Sequence, residues 1–249
     1  MEKLPIRLEL DPIVEAVFEL RFISSYPPEA VFGIIYQIIQ KEYPNMKNIS
    51  LPITQIPGAV RNLDPNLKYK PHNKLQSNLW GINVGPNVIS FSAQNPYMGW
   101  FKWKEIITKI LKRIIDVEIF NVIERSGLRY INFIEKSVLQ VTNVDITIVG
   151  KKLNAQQTSL RTEFQEDNYT ETIQILNNAN MFIDNKQKFG SLIDIDIAKD
   201  FANENVNFIY KEIENLLEES HSKVKSLFYK FLKDDYLNSL KPIYGEENK

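Results

Sequence analysis

Asp194 and Asp196 are the residues best placed by type and spacing to do chemistry. They stand in the stretch Leu192-Ile193-Asp194-Ile195-Asp196-Ile197, so in a strand both carboxylates project from one face while the isoleucines project from the other. Two carboxylates spaced this way hold magnesium in polymerase-like or nuclease-like sites when a third acid or a phosphate completes the shell. The competing reading is a solvated strand face with cross-strand salt bridges. It is preferred because no histidine stands near the pair: the two histidines, His72 and His221, lie far apart. The pair is therefore kept as a metal candidate, and no catalytic or metal-ligating residue is assigned.

Arginine raises the next question. Arg129 shares a strand face with Ile131 and Phe133, and Leu128, Tyr130, Asn132 and Ile134 share the other. A guanidinium on an apolar face must be paired or reach a sheet edge, because a buried charge left alone costs several kcal/mol. Glu19 or Glu15 is the expected partner if the first strand lies beside this one, and Arg21, on the face of Glu19, poses the same problem. A structural ion pair outweighs anion recognition, but a polar pocket between strands would serve both. Arg21, Arg129 and Asn132 are accordingly the candidate binding residues. The run Lys68-Tyr69-Lys70-Pro71-His72-Asn73-Lys74 could contact phosphate with Tyr69 stacking on a base, against the plainer reading of a solvated loop. His221 has no acid arranged around it for a triad and reads as a packed or surface histidine. Trp80, Trp100 and Trp103 read as core rings rather than a ligand platform.

The 249-residue chain carries 30 basic and 31 acidic side chains and no cysteine. Near-neutral charge announces neither a nucleic-acid nor a membrane partner. Absence of cysteine excludes disulfides, thiolate nucleophiles and thiolate zinc sites, and fits a reducing compartment. The first dozen residues alternate charged and apolar types without a signal-peptide core, and no window is apolar enough for a span. A soluble cytoplasmic protein is expected, long enough to bury roughly 70 to 75% of its unfolded surface.

Periodicity places these residues on elements. Ala16, Phe18, Leu20 and Phe22 alternate with Val17, Glu19 and Arg21, which predicts a strand from Glu15 to Phe22. Pro27-Pro28-Glu29 opens a helix whose Val31, Ile34, Ile35, Ile38 and Ile39 repeat at helical spacing. Strands are predicted at Ile49 to Ile56, Leu79 to Val84 and Val88 to Ala93, the last two joined as a hairpin by Gly85-Pro86-Asn87. Trp103, Ile106, Ile107, Ile110, Leu111 and Ile114 form the stripe of a second helix whose Lys102, Lys104, Lys109, Lys112 and Arg113 lie elsewhere around it. Further strands are predicted at Leu128 to Ile134, Val144 to Val149, Leu160 to Phe164, Thr170 to Leu176 and Leu192 to Ile197. A helix from about Val206 to Leu240 closes the chain, with Ile213, Leu217, Val224, Phe228 and Phe231 on one face.

Three groups of residues come in the order of a known family: Asp11-Pro12-Ile13-Val14-Glu15-Ala16-Val17-Phe18-Glu19-Leu20-Arg21-Phe22, then Tyr97-Met98-Gly99-Trp100-Phe101, then Gly127-Leu128-Arg129-Tyr130-Ile131-Asn132. Leu192 to Ile197 and His221 to Phe228 are similar to its C-terminal part. Over nearly its whole length the chain resembles a sporadically distributed bacterial family about as long as itself, to which no activity is assigned. The patchy distribution implies an accessory gene of a mobile-element, antiviral-defence or toxin-control system. By contrast, Gly190-Ser191 before the aspartate pair resembles nucleotidyltransferases only in part, because there a helix separates the two elements and here Leu192 and Ile193 alone intervene.

The fold expected is α+β: an antiparallel sheet with about three main helices, the last packed on the sheet. The chain is read as one domain over residues 1 to 249, with related halves at 1–122 and 123–249 as an architectural hypothesis. The function expected is a non-enzymatic binding or regulatory protein recognising a protein partner or a small ligand, with no cofactor. A protein partner or homo-oligomer is the expected association, and no membrane is involved. The alternatives are a metal-dependent enzyme on phosphate esters or nucleotides through Asp194 and Asp196, and a nucleic-acid module using the 68–74 loop and second helix.

Overall fold

The computed structural model describes residues 4–183 and 186–245, with side chains for all of these except 59, 62 and 202–208. Met1 to Lys3, part of the segment read for an apolar leader, lie outside the described residues. The chain is α+β, and its main sheet is antiparallel throughout.

The first half begins with a short β1 (Arg7–Leu8), then β2 (Ile13–Ser24), α1 (Pro28–Glu42) and β3 (Lys47–Ser50). A one-and-a-half-turn α2 (Gly58–Leu63) follows, then β4 (Asn73–Gln76), β5 (Trp80–Gly85), β6 (Val88–Gln94) and α3 (Trp100–Asp116). The second half runs β7 (Phe120–Ile134), α4 (Val138–Val141), the two-residue strands β8 (Thr147–Ile148) and β9 (Lys151–Lys152), β10 (Thr158–Glu166), β11 (Tyr169–Ile183) and β12 (Lys186–Asn205). It closes with α5 (Val206–Phe231), α6 (Asp234–Ser239) and β13 (Pro242–Ile243).

Among the described residues nine strands form one sheet in the order β10-β11-β12-β7-β2-β6-β5-β4-β3. In each half the first strand lies beside the last, β2 beside β6 and β7 beside β12, and the two first strands meet at the centre. The alternation read in β2 is realised: Ala16, Phe18, Leu20 and Phe22 are fully buried. They face Ile35 and Ile39 of α1, Trp103, Ile107, Leu111 and Ile114 of α3, and Ile213 and Leu217 of α5 in one apolar core. All three helices therefore cover one sheet face, each by the stripe its periodicity laid out. At roughly 25 cal/mol per Å² of apolar area removed from water, that shared layer is the main source of stability. The opposite face carries the charged positions of β2, β7 and β12. Glu42 anchors α1 to α3 by accepting from Lys109 at 2.6 Å and Arg113 at 2.7 Å.

Three predicted elements differ. The strand expected over Ile49 to Ile56 ends at Ser50, because Pro52 opens a 3-10 turn to Gln55; the Leu51 N–H still donates to the His72 carbonyl, in register with the β3–β4 ladder. Val144 to Val149 holds only the Thr147–Ile148 pair. The terminal helix stops at Phe231 rather than Leu240. There the Asn143 side-chain amide donates to the Lys230 and Leu232 carbonyls at 3.0 and 3.1 Å, and its backbone N–H donates to the Phe231 carbonyl. A distant side chain thus satisfies the orphan carbonyls of the helix end. Gly190 is a packing residue: a Cβ there would lie 2.5 Å from the Ile134 carbonyl and 2.8 Å from the Phe133 ring, which accounts for the Gly190-Ser191 pair without a catalytic turn.

Candidate functional site

The residues singled out by sequence fall on both faces of the sheet. On the open face, Arg129 lies across from Val17 of β2 and Asp196 of β12. β2 and β7 are neighbours, as the Glu19–Arg129 idea required, but the partner differs. Arg129 Nε donates to Asp194 Oδ1 at 2.7 Å and its Nη2 to the other oxygen, while Arg21 Nε takes Glu19 at 2.7 Å. Glu19, opposite Gly127, and Asp194, opposite Ile131, each stand one diagonal step from Arg129; Glu19 is taken by Arg21, and Asp194 offers both oxygens in a fork. The bond to Asp194 holds the guanidinium more firmly protonated.

Asp194 also accepts from Gln174 Nε2 at 3.3 Å, so its oxygens are occupied by protein donors. Burial raises the Asp196 pKa, partly offset by Arg125 and Arg129. Its nearest cation, Arg125, stands at 3.9 Å. Among the described residues no group of three or more His, Cys, Asp or Glu side chains converges to hold a metal. A double-mutant cycle should report this geometry. Because Arg129 is 42% exposed, the Arg129→Met and Asp194→Asn pair is expected to couple by only about 1 to 2 kcal/mol in urea unfolding, and Arg129→Met with Glu19→Gln by less than about 0.5 kcal/mol. A larger coupling to Glu19 would overturn the assignment.

Four of the five α3 cations pair within the chain. Lys104 pairs with Glu218, Lys112 with Glu214 at 2.6 Å, and Lys109 and Arg113 with Glu42. Lys68 and the Tyr69 hydroxyl both reach Glu124, and the Tyr69 ring is sandwiched by Lys68 and Arg21, each 4.7 Å from its centroid.

Asn132 faces the opposite side, where it is 2% exposed and donates to the Ile193 carbonyl at 3.3 Å. There it lines a cavity of about 990 Å³ roofed by β1, β13 and their flanking residues. The cavity is walled by the segment before β2, the loop into α3, the end of β7 and the C-terminal half of α5. Its floor is aromatic. The Trp100 and His221 rings stack at 4.1 Å with planes 7° apart, and the Tyr97 and Tyr130 hydroxyls meet at 2.9 Å. Trp100 is fixed from outside by Glu218, which accepts its Nε1–H at 3.2 Å and also binds Lys104.

Burial pushes Tyr130 well above the usual phenol range, with Tyr97 adding to the effect, so it stays a hydrogen-bonding hydroxyl. Burial likewise pushes His221 down to about 3, helped by Lys225 and Lys104, so its imidazole is neutral. Asp11 is raised by loss of water and partly restored by the Ile13 N–H, which donates to it at 2.9 Å. The cavity offers ring faces, neutral donors and acceptors, and charged groups of both signs, Glu9 and Asp11 with Arg7, Lys102 and Lys225.

Asp11, Tyr97, Trp100, Tyr130 and His221 were not proposed as site residues from the sequence. Each lies in one of four segments, 11–22, 97–101, 127–132 and 221–228, that the fold brings together here. Arg21 and Arg129 do not reach this cavity. No protein-family model matches the chain, and no curated protein matches it. Among the described residues no helix is long and apolar enough to cross a membrane.

Proposed function

We propose that the protein is a non-enzymatic binding component, serving an accessory system, whose ligand is a small molecule of cofactor size held in the cavity between β1–β13, α3 and α5. The observation that carries this reading is the meeting of five sequence segments around about 990 Å³ of space, at the upper end of ordinary ligand pockets. Stacked rings suit a flat, largely apolar ligand, and Asn132, Tyr130 and Asp11 suit hydrogen-bonding groups at its edge. The accessory setting is supported by the family resemblance alone. The metal-enzyme reading is disfavoured by the engagement of Asp194 with Arg129, and the nucleic-acid reading by the internal pairing of the α3 cations.

The test is native purification followed by denaturation and mass spectrometry of whatever is released. A single small molecule is expected, which on adding back raises Tm in proportion to the logarithm of its concentration. Ile243→Trp should abolish that shift while leaving unliganded stability near wild type, because Ile243 lines the cavity from the two-residue β13, outside the main sheet. Release of nothing, together with no Tm shift from a broad metabolite set, would refute the proposal.

A further inference from the structure

β10 is the terminal strand of the nine-stranded sheet and pairs with β11 along its whole length. Among the described residues no other backbone hydrogen bond reaches it. Its sequence, Thr158-Ser159-Leu160-Arg161-Thr162-Glu163-Phe164-Gln165-Glu166, presents a free row of N–H and C=O groups with Phe164 52% exposed. Such an edge recruits another strand unless its side chains prevent it.

We propose that β10 is a homodimer interface in which the strand adds antiparallel to β10 of a second copy about a two-fold axis through Thr162. In that register every cross-strand pair is complementary. Arg161 stands opposite Glu163 of the second copy, and by symmetry Glu163 opposite its Arg161. Leu160 stands opposite Phe164 of the second copy, and Thr162 opposite itself. Sliding the pairing by two residues places Glu163 against Glu163 in one direction and Arg161 against Arg161 in the other, and like charges directly opposite destabilise a ladder.

Charges on an edge strand usually block strand addition. Here opposite signs flank Thr162 symmetrically, so they favour a second copy in one register and oppose its neighbours. Arg161 and Glu163 of one copy already pair with each other while 57% and 45% exposed, and exchanging an exposed pair for an equivalent one costs little. Leu160 and Thr162 lie opposite the buried Ile175 and Ile173, hence on the helix side of the sheet. Both helix layers then fall on the same side of one continuous sheet, and Leu160 and Phe164 gain apolar neighbours. The other edge, β3, has four residues, all exposed, and no such symmetry.

Sedimentation of the full chain across a concentration series tests this, with circular dichroism to confirm folding of each variant. Wild type is expected to dimerise. Arg161→Glu alone and Glu163→Arg alone should each raise the dimer dissociation constant about tenfold or more. An equimolar mixture of the two single variants should restore association, because an all-acidic strand then meets an all-basic one, and the double variant should restore it in a single species. The chain has no cysteine, so Thr162→Cys supplies one thiol that should cross-link to its own copy on mild oxidation. A monomeric wild type at the highest concentration overturns the proposal. So does a dimer that ignores both charge reversals.

Discussion

Acidification from about pH 6.5 to about pH 3 is expected to destabilise the fold by up to about 4 kcal/mol through His221 alone. The ring lies in the α5 wall of the cavity, stacked on Trp100, with Tyr130 at 6.1 Å and Lys104 and Lys225 opposing its protonation. Its folded pKa of about 3 lies below the ordinary 6.5. In that interval the unfolded chain takes up a proton that the folded chain refuses. Stability from this group is therefore complete above about 6.5, falls as the pH drops, and levels off near 3. His221→Phe keeps a flat ring on Trp100 and removes the proton site. Acids with raised pKa values, Asp11, Glu171 and Asp196, remain in both proteins and cancel in the comparison. Urea unfolding at a series of pH values should show the wild type losing ground to the variant by up to about 1.4 kcal/mol per pH unit. Parallel profiles would show that His221 protonates freely in the folded state.

Asn177→Leu is expected to cost about 2 to 4 kcal/mol, because it removes up to four hydrogen bonds of a buried cluster at about 1 kcal/mol each, while the Val138 N–H, Ser137, Ser191 and the Gln156 carbonyl each keep one other partner. Asn177 is fully buried where the β11–β12 register slips between Leu176 and Ala179. Its Oδ1 accepts from the Val138 N–H at 2.8 Å and lies 3.0 and 3.2 Å from the Ser137 and Ser191 hydroxyls, whose single protons it shares with the Asn154 and Lys136 carbonyls. Its Nδ2 donates to the Gln156 carbonyl at 2.8 Å. One side chain thus ties β11, β12, the start of α4 and the approach to β10. Leucine has the same branched heavy-atom shape and no polar atom, so the loss reads out hydrogen bonding rather than a cavity. The urea midpoint should fall at unchanged m-value, and a loss below about 1 kcal/mol would mean that water replaces the amide.

Much of the fold was legible in the chain because it is written in short-range periodicity. Alternation at Ala16, Phe18, Leu20 and Phe22 and the helical stripes of α1, α3 and α5 each concern one element meeting one apolar layer, and burial follows the pattern directly. The Gly85-Pro86-Asn87 turn similarly reported its own hairpin. Legibility failed where a distant partner overrides local preference. Asn143 ends α5 from about 90 residues away in sequence.

The sequence by itself determined the class, α+β with an antiparallel sheet, and the faces each element would bury, since those depend on which neighbours lie two, three or four positions away. Only the tertiary structure decided which strands are adjacent and in what register. That choice gave Arg129 to Asp194 rather than Glu19, and it brought Asp11, Tyr97, Tyr130 and His221 to one cavity. Strand order is set by covering whole apolar faces at once, a property of the complete sheet that no local window contains.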